Sequence, residues 1–128
     1  MDEKFRIWDE LNKLNVYKNS MELGEALWPV IGDWNWFLKK CIGDQIIRSA
    51  DSIAANIAEG YGRYSYREKL HFYYYARASW LETATWLEKA RARNLLANEA
   101  YYRIKSLLDS IPRELHILIQ NTRNQLTH

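Results

Sequence analysis

Helix breakers are scarce in this chain. Its 128 residues include 5 glycines and 2 prolines, and two of those glycines stand together in Gly60-Tyr61-Gly62. Long stretches on either side run without a breaker. That excludes a sandwich or barrel of many short strands, each of which needs its own turn. At this length the chain has room for one hydrophobic core. A 48% hydrophobic share with 27% charged residues suits a globular domain and excludes disorder by composition.

The apolar residues recur at helical spacing. Ile42, Ile46, Ala50, Ile53, Ala54 and Ile57 step by three and four, marking one stripe of a helix that ends near Gly60. Asp33 is a candidate cap for it, and Gly43 weakens its early part. Ser65 and Glu68 have capping-box spacing, so the next helix is expected from Ser65 to about Arg93. Asn94 is the residue able to stop it in a left-handed conformation. Ile104, Leu107, Leu108, Ile111, Leu115 and Leu118 predict a helix over 98–124. Pro112 should kink that helix without ending it. Tyr17, Met21, Gly24, Leu27 and Trp28 predict an earlier helix ending between Pro29 and Gly32. Residues 1–15 read as a separate arm carrying Phe5, Trp8 and Leu11, and residues 125–128 as a tail. The expected fold is therefore all-α, an up-down-up-down four-helix bundle over residues 16–124.

The two central helices have more to bury than a single core needs. Gln45, Arg48, Ser52, Asn56, Glu59 and Arg63 form a narrow polar stripe with unusually short side chains. It reads as a solvated face, as a seam against another helix or subunit in which Glu59 and Arg63 pair, or as a ligand site. The following helix is apolar around most of its circumference, with Phe72, Tyr73, Ala76, Trp80 and Leu87 on one side and Tyr75 and Trp86 further round. A wide core face explains this, as does a second buried surface against another copy. Ser52, Asn56, Glu59, Tyr75 and Trp86 are the candidate interface residues. Arg77 and Glu88 interrupt the inner side of that helix and should reach partners or the rim.

Catalytic chemistry is missing. His71, His116 and His128 lack Glu-x-x-His or His-x-x-x-His partners, so no metal is expected. The Gly60-Tyr61-Gly62 run follows a helix and reads as a helix stop, not a phosphate loop. No nucleophile motif occurs, so no catalytic residue and no cofactor is expected. Cys41 is the lone cysteine and is expected as a small buried hydrophobe. The start lacks a signal-peptide pattern and no stretch reaches membrane-spanning length, so a cytoplasmic protein without membrane contact is expected.

Charge is modest, at +2 overall, but uneven. Residues 1–34 hold four bases and seven acids, net −3, whereas residues 65–96 hold six bases and three acids, net +3. Arg48, Arg63, Arg67, Arg91 and Arg93 are the candidate phosphate contacts. Tyr61, Tyr64 and Tyr66 interleave with Arg63 and Arg67 around the central turn, a pattern compatible with nucleic acid.

The stretch Gln45-Ile46-Ile47-Arg48-Ser49-Ala50, then Ser52 to Arg63 with its Asn56-Ile57-Ala58-Glu59-Gly60 run, then Ser65, Glu68, Phe72, Ala76, Ser79 and Glu82, resembles the bacterial four helix bundle protein family. That family is also known from intervening sequences of large-subunit ribosomal RNA genes. The resemblance covers about residues 16–122. Trp34 to Cys41 departs from it, being apolar where the family carries a charged loop. The resemblance implies an all-α bundle, a homopentamer and no enzyme activity. It also implies kinship with accessory variability proteins of diversity-generating retroelements, which bind nucleic acid and a reverse transcriptase. The expected function is a non-enzymatic ring-forming accessory factor contacting RNA or DNA. The alternative is a protein–protein scaffold or reverse-transcriptase accessory subunit without a direct nucleic-acid role.

Overall fold

The computed structural model describes residues 2–126, which are all-helical and contain no strand. The short arm helix α1 (Glu3–Leu11) leads into α2 (Asn15–Gly32). A three-residue α3 (Trp36–Leu38) continues through a π-helical segment, Lys39–Gly43, into α4 (Asp44–Tyr61). Then come α5 (Tyr66–Ala92), α6 (Asn98–Asp109) and α7 (Ile111–Leu126). Five rods result: the arm, α2, the α3–α4 rod, α5 and the α6–α7 pair. Residues 127 and 128, including His128, lie outside the described residues.

The core follows from the stripes. Leu23, Leu27, Ile42, Ile46, Ile53, Ile57, Leu87, Ile104, Leu108 and Ile111 are buried in one cluster. The closest pairing is between α4 and α5, which run antiparallel. Ser49 meets Thr83 near one end, hydroxyl to hydroxyl at 2.9 Å, and Gly60 meets Tyr73 near the other. A Cβ on Gly60 would lie 2.8 Å from Tyr73 Cε1 and 3.0 Å from Phe72 Cβ. Gly60 thus serves close packing. Gly62, which follows the last residue of α4, stays right-handed at φ −82°.

The ends of α5 match expectation. The Ser65 hydroxyl accepts from the Glu68 amide at 3.1 Å. Asn94 is the one described non-glycine residue at positive φ, 59°. Leu95 N–H reaches the Ala90 carbonyl at 2.9 Å and Asn94 N–H the Arg91 carbonyl at 3.0 Å, a Schellman closure. Of the two interrupting charges, Arg77 lies over the Tyr74 ring at 4.9 Å, and Glu88 accepts from the Tyr101 hydroxyl at 2.5 Å.

Three expectations are corrected. The rod containing α4 is capped by Asn35, whose side chain accepts from the Leu38 amide at 2.9 Å, while Asp33 closes α2. The helix over 98–124 is divided at Ser110, and Pro112 becomes the second residue of α7. There its missing N–H falls in the first turn of α7, which holds no acceptor for it within that helix. Cys41 is exposed, because the π segment carries it away from the core that takes its neighbours Ile42 and Gly43.

Candidate functional site

The turn between α4 and α5 brings the interleaved bases and tyrosines to one end of the molecule. Lys69, on the first turns of α5, donates to the Tyr61 carbonyl at 2.6 Å and to the Gly60 carbonyl at 3.5 Å. A cation is thereby placed at the carbonyl end of α4, where the helix dipole favours it. Burial pushes the Lys69 ammonium below its ordinary pKa. This role went unread in the sequence, although a lysine one turn after a cap is the signal that would have suggested it.

Around that turn lies a cleft of about 630 Å³. Its floor holds Tyr73 and Tyr61. Burial pushes the Tyr73 phenol far up, with the neighbouring Tyr61 adding to the shift. The Tyr61 hydroxyl donates to Glu10 of the arm at 3.4 Å. Burial, then the Glu10 charge and that hydrogen bond, raise the Tyr61 pKa. The rim carries Tyr64, which is 100% exposed, and Tyr66. The facing wall is α7, with Asn121, Thr122 and Gln125. These α7 residues and Glu10 were missed from the sequence, since the chain positions they join are more than fifty residues apart.

Arg63 donates to Glu59 at 2.6 Å, and its guanidinium stacks over Phe72 at 4.6 Å. Phe72 meets Tyr75 edge-on with centroids 5.6 Å apart. The seam residue Glu59 is thus joined to Tyr75 through Arg63 and Phe72. Ser52, Asn56 and Glu59 on α4, with Phe72, Tyr75 and Trp86 on α5, flank the same outer side of the antiparallel pair at helical spacing. Ser52, Asn56 and Trp86 are half-buried in the single chain, and Tyr75 is 55% exposed. The Trp86 indole donates to Glu82 at 3.2 Å.

The five arginines do not gather in one chain. Arg63 and Arg67 sit at the turn. Arg91 and Arg93 lie at the far end of α5, about 36 Å away along the helix at 1.5 Å per residue. Arg91 is committed to two rings, with its guanidinium over Tyr101 at 4.0 Å and donating to the Tyr102 hydroxyl at 3.1 Å. Arg48 lies on the outer side of α4, 3.8 Å from Asp44. Arg67 makes no ion pair among the described residues.

Among the described residues no group of three or more His, Cys, Asp or Glu side chains is placed to hold a metal. No helix of the described residues is long and apolar enough to cross a membrane. The departing stretch before α4 exposes Trp36 and Phe37 at 71% and 65%, and Trp28 on α2 is 66% exposed. Lys40 lies over the Trp36 ring at 4.9 Å.

Residues 12–116 match the family described as 23S rRNA-intervening sequence protein. The resemblance carried by Gln45 to Arg63 is thereby established. A solved structure from Bacteroides thetaiotaomicron, described as a protein of unknown function from the S23 ribosomal protein family, is 26% identical. It covers 81% of this chain and 97% of its own, with a TM-score of 0.72. No curated protein matches the chain.

Proposed function

The chain belongs to the 23S rRNA-intervening sequence protein family, and on that footing we propose that it is a non-enzymatic, self-assembling helical protein that contacts RNA or DNA. The observation that carries this reading is the outer flank of α4 and α5. There Ser52, Asn56 and Glu59 lie beside an aromatic run, Phe72, Tyr75 and Trp86, of which Trp86 packs partly against the core while Tyr75 is left 55% exposed. In this reading α2, the α3–α4 rod, α5 and the α6–α7 pair act as an up-down-up-down four-helix bundle. Copies meet through the α4–α5 flank in a ring, a homopentamer by the family resemblance. Assembly supplies what one chain lacks. A ring repeats each end of the bundle, so Arg63 and Arg67 line one rim and Arg91 and Arg93 the other.

Static light scattering on the full chain tests the assembly. A mass five times the 15.3 kDa of one chain supports the ring, and a monomer mass overturns it. Titration of labelled RNA and DNA at rising salt tests the ligand. Affinity should fall steeply with ionic strength, and an absence of salt-sensitive binding at micromolar concentration sinks the nucleic-acid reading. A scaffold or reverse-transcriptase subunit is the second reading, and exposed Trp28, Trp36 and Phe37 favour it. Burial of those rings by a protein partner would leave its affinity nearly independent of salt.

A further inference from the structure

We infer that the cleft between the α4–α5 turn and α7 takes an unpaired base of a single-stranded nucleic acid. The inference rests on the nucleic-acid reading and names what that end of the molecule recognises. The cleft is richer in rings than in free charge. Arg63 is held by Glu59 at 2.6 Å, Lys69 is spent on the α4 carbonyls, and Arg6 lies 3.9 Å from Glu10, whose charge offsets it. Attraction for phosphate alone is therefore weak here, and stacking on an open ring is the stronger attraction the cleft can offer. Tyr64 provides a ring with no packing partner of its own, since it is 100% exposed. A base stacked on such a ring gains affinity whatever its identity, because every base has a π face.

Shape selects the single strand. The cleft is a pocket of about 630 Å³ closed on one side by the arm and on another by α7. A flat base enters such a space only after leaving its helix, because a stacked duplex presents grooves and not base faces. The α7 wall then supplies hydrogen bonding. Asn121 and Gln125 are exposed carboxamides on that wall, four residues apart and so on one face of the helix. A carboxamide both donates and accepts, which suits the free edge of an unpaired base. Arg67 follows the lining residue Tyr66 in the chain, is exposed and makes no ion pair among the described residues, which leaves it available to an adjoining phosphate.

Fluorescence anisotropy with the full chain and labelled oligonucleotides of equal length tests this. The probes are intact single strands of RNA and of DNA, a DNA strand with abasic sites, and a hairpin duplex. The intact strands should bind more tightly than the abasic strand, which carries the same charge, by about 5- to 150-fold, the worth of one base–aromatic stack. Tyr64→Ala should remove most of that difference and leave duplex binding unchanged. Its helical circular dichroism should also be intact, because the side chain packs on nothing. Asn121→Ala is the second variant and should narrow the same ratio. An abasic strand bound as tightly as the intact one overturns the inference while the nucleic-acid reading stands. So does an unchanged ratio in both variants. A protein that binds none of the four probes sinks both.

Discussion

The indole N–H of Trp80 donates to the backbone oxygen of Leu108 across 2.8 Å. Leu108 is the residue whose carbonyl an amide at position 112 would take in an unbroken helix, and position 112 is proline. A side chain of α5 thus occupies the acceptor at the junction of α6 and α7. Trp80→Phe should cost about 1–3 kcal/mol by taking the indole donor from that part-buried carbonyl, which then meets only the cap amide of Ser110. In a Pro112→Ala background the restored amide can serve Leu108, and the same change should cost less. Urea unfolding of the four proteins gives the coupling directly. Equal costs in the two backgrounds would refute the link.

Gly60 is held by contact. Gly60→Ala would drive a methyl to 2.8 Å from Tyr73 Cε1, a ring that is fully buried and cannot swing away. The expected loss is about 1–3 kcal/mol. A Tyr73→Leu partner change should recover part of it, as read from urea midpoints.

Asn94 at φ 59° is the stop of α5. Asn94→Ala should destabilise the chain by about 1 kcal/mol, and Asn94→Gly should leave stability unchanged or raised. Hydrogen exchange at the Leu95 amide, which closes the Schellman bond to Ala90 at 2.9 Å, should quicken in the alanine variant alone.

Asp51 lies against the α2 backbone, with Oδ1 2.6 Å from where a Gly24 side chain would begin. Desolvation, and secondarily the Glu25 charge, raise its pKa in the folded chain. The folded state therefore holds the Asp51 proton more tightly than the unfolded chain. Its contribution to stability is fully present below the ordinary carboxylate range and is lost as pH rises through the raised pKa. Asp51→Asn should flatten that part of the profile and gain relative to the parent at neutral pH. Denaturation midpoints of both proteins from acid to neutral pH check this, and parallel profiles would refute it.

The parts of the fold readable from sequence are those fixed within a few residues. The Ile42-to-Ile57 stripe, the Ser65–Glu68 cap and the Asn94 stop depend on local spacing, and each stands in the structure. The cap before α4 was misplaced because Asp33 and Asn35 are equally good acceptors two residues apart, and only the path of the chain decides between them. Cys41 was misread for a related reason, since a π turn adds a residue that a strict 3.6 period does not foresee. The cleft lay beyond reach. Its arm, turn and far wall come from the start, middle and end of the chain, and packing alone unites Glu10, Tyr64 and Asn121. The separation of Arg67 from Arg91 follows from the length of α5 alone.

The π segment at Lys39–Gly43, where the Asp44 amide bonds back to Lys39, has a consequence for how the chain tolerates change. Five residues there form one widened turn, so an extra residue is absorbed locally and the rods on either side keep nearly the facing of an α-helix one residue shorter. Shortening the segment by one residue would rewind it as ordinary α-helix. Trp36 and Phe37 would then stay on much the same side of the bundle, and the Ile46-to-Ile57 core would stay put. The same deletion within plain α-helix would turn the upstream part by about 100°, so the π turn is the one place in this rod where a residue can be lost without re-aiming the aromatic tip.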